Sequence, residues 1–124
     1  MFGFQRKESD RDRVKREFDH VTSTMRRAPE VAQIAFGHSI NILFQIFLAR
    51  FESSLAFQAK PDSEHIEYVK SLTKMEEHCQ KTDPPTSLAC GVFKLWIGTL
   101  MAGDPAMATY FFEQLQYFGH KGPY

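Results

Sequence analysis

Between Glu30 and Arg50 the chain runs for nineteen consecutive residues without a charge, VAQIAFGHSINILFQIFLA, and apolar positions continue at Phe51, Leu55 and Phe57. At about 100° per residue these positions sweep roughly 240° of a helical wheel. Phe36, Ile40, Ile42, Leu43, Phe44, Ile46, Phe47, Leu48, Phe51 and Leu55 fall inside the arc. The only continuous polar strip is His38, Asn41, Gln45 and Glu52. A helix this apolar is enclosed by other helices, of its own chain or of a partner's. A membrane span would need about 20 apolar residues. Gln33, His38, Asn41 and Gln45 are costly at membrane depth, and arginines flank both ends, so the pattern points to a buried helix and away from a membrane.

Punctuation divides the rest into helical stretches. The first runs from about Ser9 to Arg27, with a narrow apolar seam of Val14, Phe18, Val21 and Met25 on a charged helix. Pro29 and Glu30 open the second, which is expected to end near Ala59 at the turn Lys60-Pro61-Asp62-Ser63. The third follows an Asp62 or Ser63 cap, with a stripe of Ile66, Val69, Leu72, Met75 and Cys79. Asp83-Pro84 and Asp104-Pro105 each set a capping acid before a proline suited to a first helical position. They start a fourth helix, Pro84 to Ala102 with Gly103 as its stop, and a fifth, Pro105 to Phe118. The fourth carries one charge, Lys94, among apolar residues. The face of the fifth is Met107, Phe111, Leu115 and Phe118, flanked by Tyr110 and Phe112. Short connections make neighbours antiparallel. The expected architecture is an all-α, up-and-down bundle of about five helices with the second and fourth at its centre. Residues 1–8 read as a flexible N-terminus, 9–118 as one helical domain and 119–124 as a tail. Gly37, Gly91 and Gly98 fall inside predicted helices, each at about 1 kcal/mol relative to Ala. Close helix–helix approach would explain them, as would a misplaced helix break.

Length and charge narrow the reading further. At 124 residues the chain is one domain with a core of useful size. Aromatics make up 14%, twelve of them Phe, and fifteen basic residues balance fifteen acidic ones. No net field favours nucleic acid, and nothing strongly repels a second copy. Eight of the basic residues lie in 6–27 (Arg6, Lys7, Arg11, Arg13, Lys15, Arg16, Arg26 and Arg27), interleaved with Glu8, Asp10, Asp12, Glu17 and Asp19. The acids would repel phosphates nearly as often as the bases attract them, so a solvated helix laced by i,i+4 pairs is expected. Met1-Phe-Gly-Phe-Gln-Arg-Lys does not read as a secretion signal, and Cys79 with Cys90 is too little for a disulfide framework. Reduced thiols in the cytoplasm are expected.

Little in the chain carries chemistry. Glu17 and His20 have a Glu-x-x-His spacing, but a di-metal carboxylate bundle needs a second such motif and two further glutamates. His65, His78, Cys79 and Cys90 lack the paired spacing of a structural zinc site. No phosphate loop, dinucleotide fingerprint or nucleophile elbow occurs. The residues therefore predict no catalytic site, no metal and no cofactor. They predict a small interaction protein (adaptor, chaperone or complex subunit) that pairs with itself, a dimer being the default assembly. The expected contact surface combines Phe36, Phe44, Phe47 and Phe51 with Tyr110, Phe111, Phe112, Tyr117 and Phe118. His38, Asn41 and Gln45 form a polar seam that faces water, a pocket or an interface. Two alternatives are a ligand- or cofactor-binding bundle with a pocket near His38 and Trp96, and a nucleic-acid accessory protein acting through the basic first helix. On this reading Phe47→Asp unfolds the protein, whereas Phe112→Asp leaves helicity intact and changes the assembly state.

Overall fold

Helix boundaries fall where side chains can cap them. The computed structural model describes residues 8–47 and 63–119, and among them are five α-helices and no strand. These are α1 (Asp10–Arg26), α2 (Glu30–Phe47), α3 (Ser63–Cys79), α4 (Pro84–Met101) and α5 (Pro105–Gly119). The stretch expected to carry the second helix on to Ala59 lies outside the described residues, as do Leu48, Phe51, Glu52 and Leu55 and the side chain of Phe47. Ser9 caps α1 by accepting from the Asp12 amide at 3.1 Å. Asp83 and Asp104 cap α4 and α5, accepting from the amides of Thr86 and Met107 at 3.4 and 3.1 Å. Gly103, with φ of 66°, closes α4 in the left-handed conformation that an αL cap requires. Its amide and that of Asp104 bond back to the carbonyls of Leu100 and Thr99, each at 3.1 Å. The Gln33 amide closes the α1–α2 turn by donating to the carbonyls of Arg26 and Ala28 at 3.2 and 2.9 Å.

The helices form an up-and-down bundle in which α4 packs against all four others and α2 is its main central neighbour after α3. The interior is aromatic. Trp96 and Phe93 of α4 meet Phe44 of α2 and Phe112 of α5, with ring centroids 5.2 to 6.2 Å apart and mostly edge to face. Phe36 of α2 packs edge-on against Phe118 of α5 at 5.0 Å, and Phe18 of α1 stacks on Phe111 at 3.8 Å. The seam of α1 is inside as expected at Phe18 and Met25, with Thr22 buried beside them and Val14 and Val21 half-buried. The face of α5 is buried at Met107, Phe111, Leu115 and Phe118.

Three expectations change on contact with the fold. The inner face of α3 centres on Leu72, Val69, Thr73 and Glu76, leaving Ile66 and Met75 exposed. Lys94 of α4 lies half-buried opposite that face, bonding Glu76 Oε1 at 2.6 Å and Thr73 Oγ1 at 3.2 Å. The glycines separate: α2 and α4 run unbroken through all three. A Cβ at Gly91 would stand 2.7 Å from the Glu76 carboxylate, so this glycine leaves room for that side chain, whereas one at Gly98 would meet nothing within 4 Å. Phe112 is also no free surface ring. It is half-buried between Phe44 and Trp96, so Phe112→Asp would place a charge between two aromatic rings.

Phe111→Ala would open a cavity beneath α1 and is expected to lower the unfolding free energy by about 3–5 kcal/mol in urea titrations. Phe112→Asp is expected to lose near-UV dichroism and melt well below the parent, an effect much larger than that of Tyr117→Asp at the exposed end of α5.

Candidate functional site

The apolar arc of α2 divides into two faces. Phe36, Ile40 and Leu43 turn inward and are buried with the backbone at Gly37 and the Ser39 hydroxyl. Ser39 Oγ donates to the Ala35 carbonyl at 3.0 Å and pairs with Thr86 Oγ1 at 2.8 Å, which ties α2 to the first turn of α4. The opposite face carries Val31, Ile42 and Ile46, exposed at 76%, 41% and 49%, together with His38 and Gln45. Ala35 and Ile34 are half-buried at its edges. The water-facing strip is therefore apolar with two polar interruptions, and Glu30 is the only charge anywhere on α2.

This geometry redistributes the expected contact residues. Phe36, Phe111 and Phe118 are fully enclosed and have no surface to offer a second protein. Phe44, Phe112 and Tyr110 are half-buried, and among the described members of the set Tyr117 alone is exposed. The Arg26 guanidinium lies over the rings of Tyr117 and Phe118 at 5.4 and 5.7 Å. Phe47 and Phe51 fall outside what is described. Ile42 and Ile46, assigned to the enclosed arc, instead stand on the surface. The polar seam also divides: Asn41 Nδ2 turns to donate to the Gly119 carbonyl at 2.7 Å, while His38 and Gln45 face outward. Of the two residues named for a pocket, Trp96 is fully buried among rings and His38 is exposed.

The cations of α1 are engaged within the chain. Arg11 pairs with Asp104 at 2.6 Å, Arg13 with Asp10 at 3.3 Å, Lys15 with Asp19 at 2.5 Å and Arg16 with Glu8 at 2.8 Å. Arg16 holds the Glu8 carboxyl below its usual range, and Asp19 raises the Lys15 ammonium above its own. Arg26 also reaches the side-chain carbonyl of Gln114 on α5. Burial, aided by the Asp19 carboxylate that its hydroxyl meets at 2.8 Å, raises the Tyr110 phenol.

Among the described residues no three or more His, Cys, Asp and Glu side chains gather as a metal-binding group, and no helix is long and apolar enough to cross a membrane. Glu17 and His20 are exposed on α1. His78 is exposed, Cys79 half-buried and Cys90 buried, and both cysteines are free thiols. Burial, reinforced by the nearby Cys79 and Glu76, pushes the Cys90 thiol up to about 11. Comparisons of the chain with protein-family models, with curated proteins and with solved structures found no match.

Alkylation at neutral pH is expected to modify Cys79 first, with Cys90 reacting only on unfolding; peptide mapping of a maleimide time course distinguishes the two. Asp104 carries both a helix cap and a cross-bundle ion pair. Arg11, and then the Met107 amide, hold its carboxyl below the ordinary value. A depressed carboxyl stabilises the fold above its unfolded value, near pH 4, and loses that contribution as pH falls through the folded value. Asp104→Ala is expected to cost about 1 kcal/mol at neutral pH, and its difference from the parent in urea midpoints should vanish in acid.

Proposed function

We propose that this protein is a small, non-enzymatic cytoplasmic interaction protein that self-associates through the outward face of α2. One observation carries the reading: Val31, Ile42 and Ile46 stand exposed along one face of a helix whose only charge is Glu30 at its first residue. Among the described residues the inner face of this helix supplies the core, while Val31, Ile42 and Ile46 remain exposed. Large exposed apolar residues ordered on one face mark interaction sites more often than isolated ones do.

A second copy suits this strip better than a charged partner. The strip holds no lysine, arginine or carboxylate, and the whole chain is balanced at fifteen charges of each sign, so copies meet without strong repulsion. Antiparallel pairing about a two-fold axis near His38 would bring Val31 towards the partner's Ile46 and the small Ala35 towards the partner's Ile42. Such an interface is self-complementary and closes at two subunits. Adaptor, chaperone and complex-subunit roles all use a face of this kind.

Light scattering on a sizing column is expected to give twice the 14.3 kDa chain mass. Ile42→Asp combined with Ile46→Asp should yield a monomer with unchanged helicity, association weakening at least about 100-fold because each lost apolar contact occurs in both subunits. A parent protein that stays monomeric at high concentration, or a doubly substituted one that stays dimeric, overturns the assignment of this face.

A further inference from the structure

On the other side of the bundle the start of α1 stands away from the C-terminal half of α4 and leaves an open groove of about 230 Å³. Its apolar lining comes from Val14 of α1, Leu95, Gly98 and Ala102 of α4, and Met107 of α5. The groove exists because α4 presents a glycine and an alanine one turn apart where a larger side chain would fill the space. A Cβ at Gly98 would meet nothing within 4 Å, so the floor is open there. This is the opposite of Gly91, whose missing side chain is covered by Glu76.

The polar groups around the groove are already engaged. Arg11 and Asp104 pair across one end at 2.6 Å, and Asp10 pairs with Arg13 at 3.3 Å. Lys94 is held by Glu76 at 2.6 Å and Thr73 at 3.2 Å. The Thr99 hydroxyl donates to the Trp96 carbonyl at 2.6 Å. Every ionised group at the rim thus has an opposite charge from within the chain, and a charged ligand would have to break an existing pair to gain one. An uncharged ligand meets apolar walls and disturbs none of them. Volume bounds its size, since an apolar cavity of about 150 Å³ admits benzene.

We propose that the groove between α1 and α4 is a binding site for a small, uncharged, apolar molecule, no larger than one or two rings. The site is separate from the α2 face, so occupancy does not depend on self-association. Met107 closes the groove and is buried, which makes its methyl group a local reporter.

Indole and naphthalene, both uncharged, serve as probes. Titrated into protein carrying 13C-methyl methionine, each is expected to shift the Met107 methyl resonance saturably, with a dissociation constant of about 1 mM or tighter. Gly98→Leu fills the groove without a clash and removes a helix-interior glycine, so it should fold at least as well as the parent and weaken binding more than about tenfold. Val14→Trp, which fills the space from α1, should do the same. Absence of a saturable Met107 shift with either probe overturns the proposal. So does a shift that persists in both filled variants, which would place the ring elsewhere. A response to a tryptophan-containing peptide but to neither free ring would also overturn it, in favour of a peptide-docking groove.

Discussion

The meeting of Trp96 and Phe93 with Phe44 and Phe112 is the contact on which the rest of the bundle depends. Three helices contribute rings to one cluster, with centroids within 6.2 Å of the indole. Rings of this size bury a large apolar area for few rotatable bonds, and their edge-to-face preference restricts how the helices can rotate about their axes. Once α2, α4 and α5 are held this way, Phe36 meets Phe118 and Phe111 presents the flat face on which Phe18 of α1 stacks. The phenylalanines whose side chains are described all serve the interior. Much of the aromatic surface that suggested an interface is used to hold one chain together.

Polar contacts then select among the packings that apolar burial alone would allow. Lys94 reaches from α4 to Glu76 over Gly91, Ser39 meets Thr86, Asn41 meets Gly119, and Asp104 joins a helix cap to Arg11. Each bond crosses between helices and is satisfied in only one register. None needs to contribute much net stability to act in this way, since a partner left buried and unpaired costs more than a formed bond contributes. The half-buried Lys94–Glu76 pair lies on the same face of α3 as the buried Leu72, whereas Ile66 and Met75 are left exposed.

Both candidate surfaces are places where this packing stops short. The outward face of α2 is apolar beyond what the core uses, and the groove beside Gly98 is where α4 and α1 fail to meet. They differ in the occupant that each admits. A long, nearly chargeless ridge suits another helix, whereas a short concave space with its charges already paired suits a small neutral molecule. A bundle of this size can host both, because the two lie on different helices and share no residue.

The starts of α1, α4 and α5 and the stop of α4 were legible in the sequence because local chemistry decides them. Proline after aspartate, glycine at a left-handed stop and apolar positions at helical spacing have the same meaning in any fold, and all-α architecture follows from their order. The orientation of each helix is another matter. Whether Ile42 or Asn41 faces water turns on a carbonyl seventy-eight positions away, at Gly119, which no local pattern contains. Gly91 and Gly98 look alike in sequence, but one lies under a glutamate and the other opens a groove, because only the neighbouring helices determine what stands over a missing side chain. The sequence by itself determined which segments are helical and how much apolar surface they carry. Tertiary structure alone decided which part of that surface is enclosed, because burial depends on contacts between residues far apart in the chain.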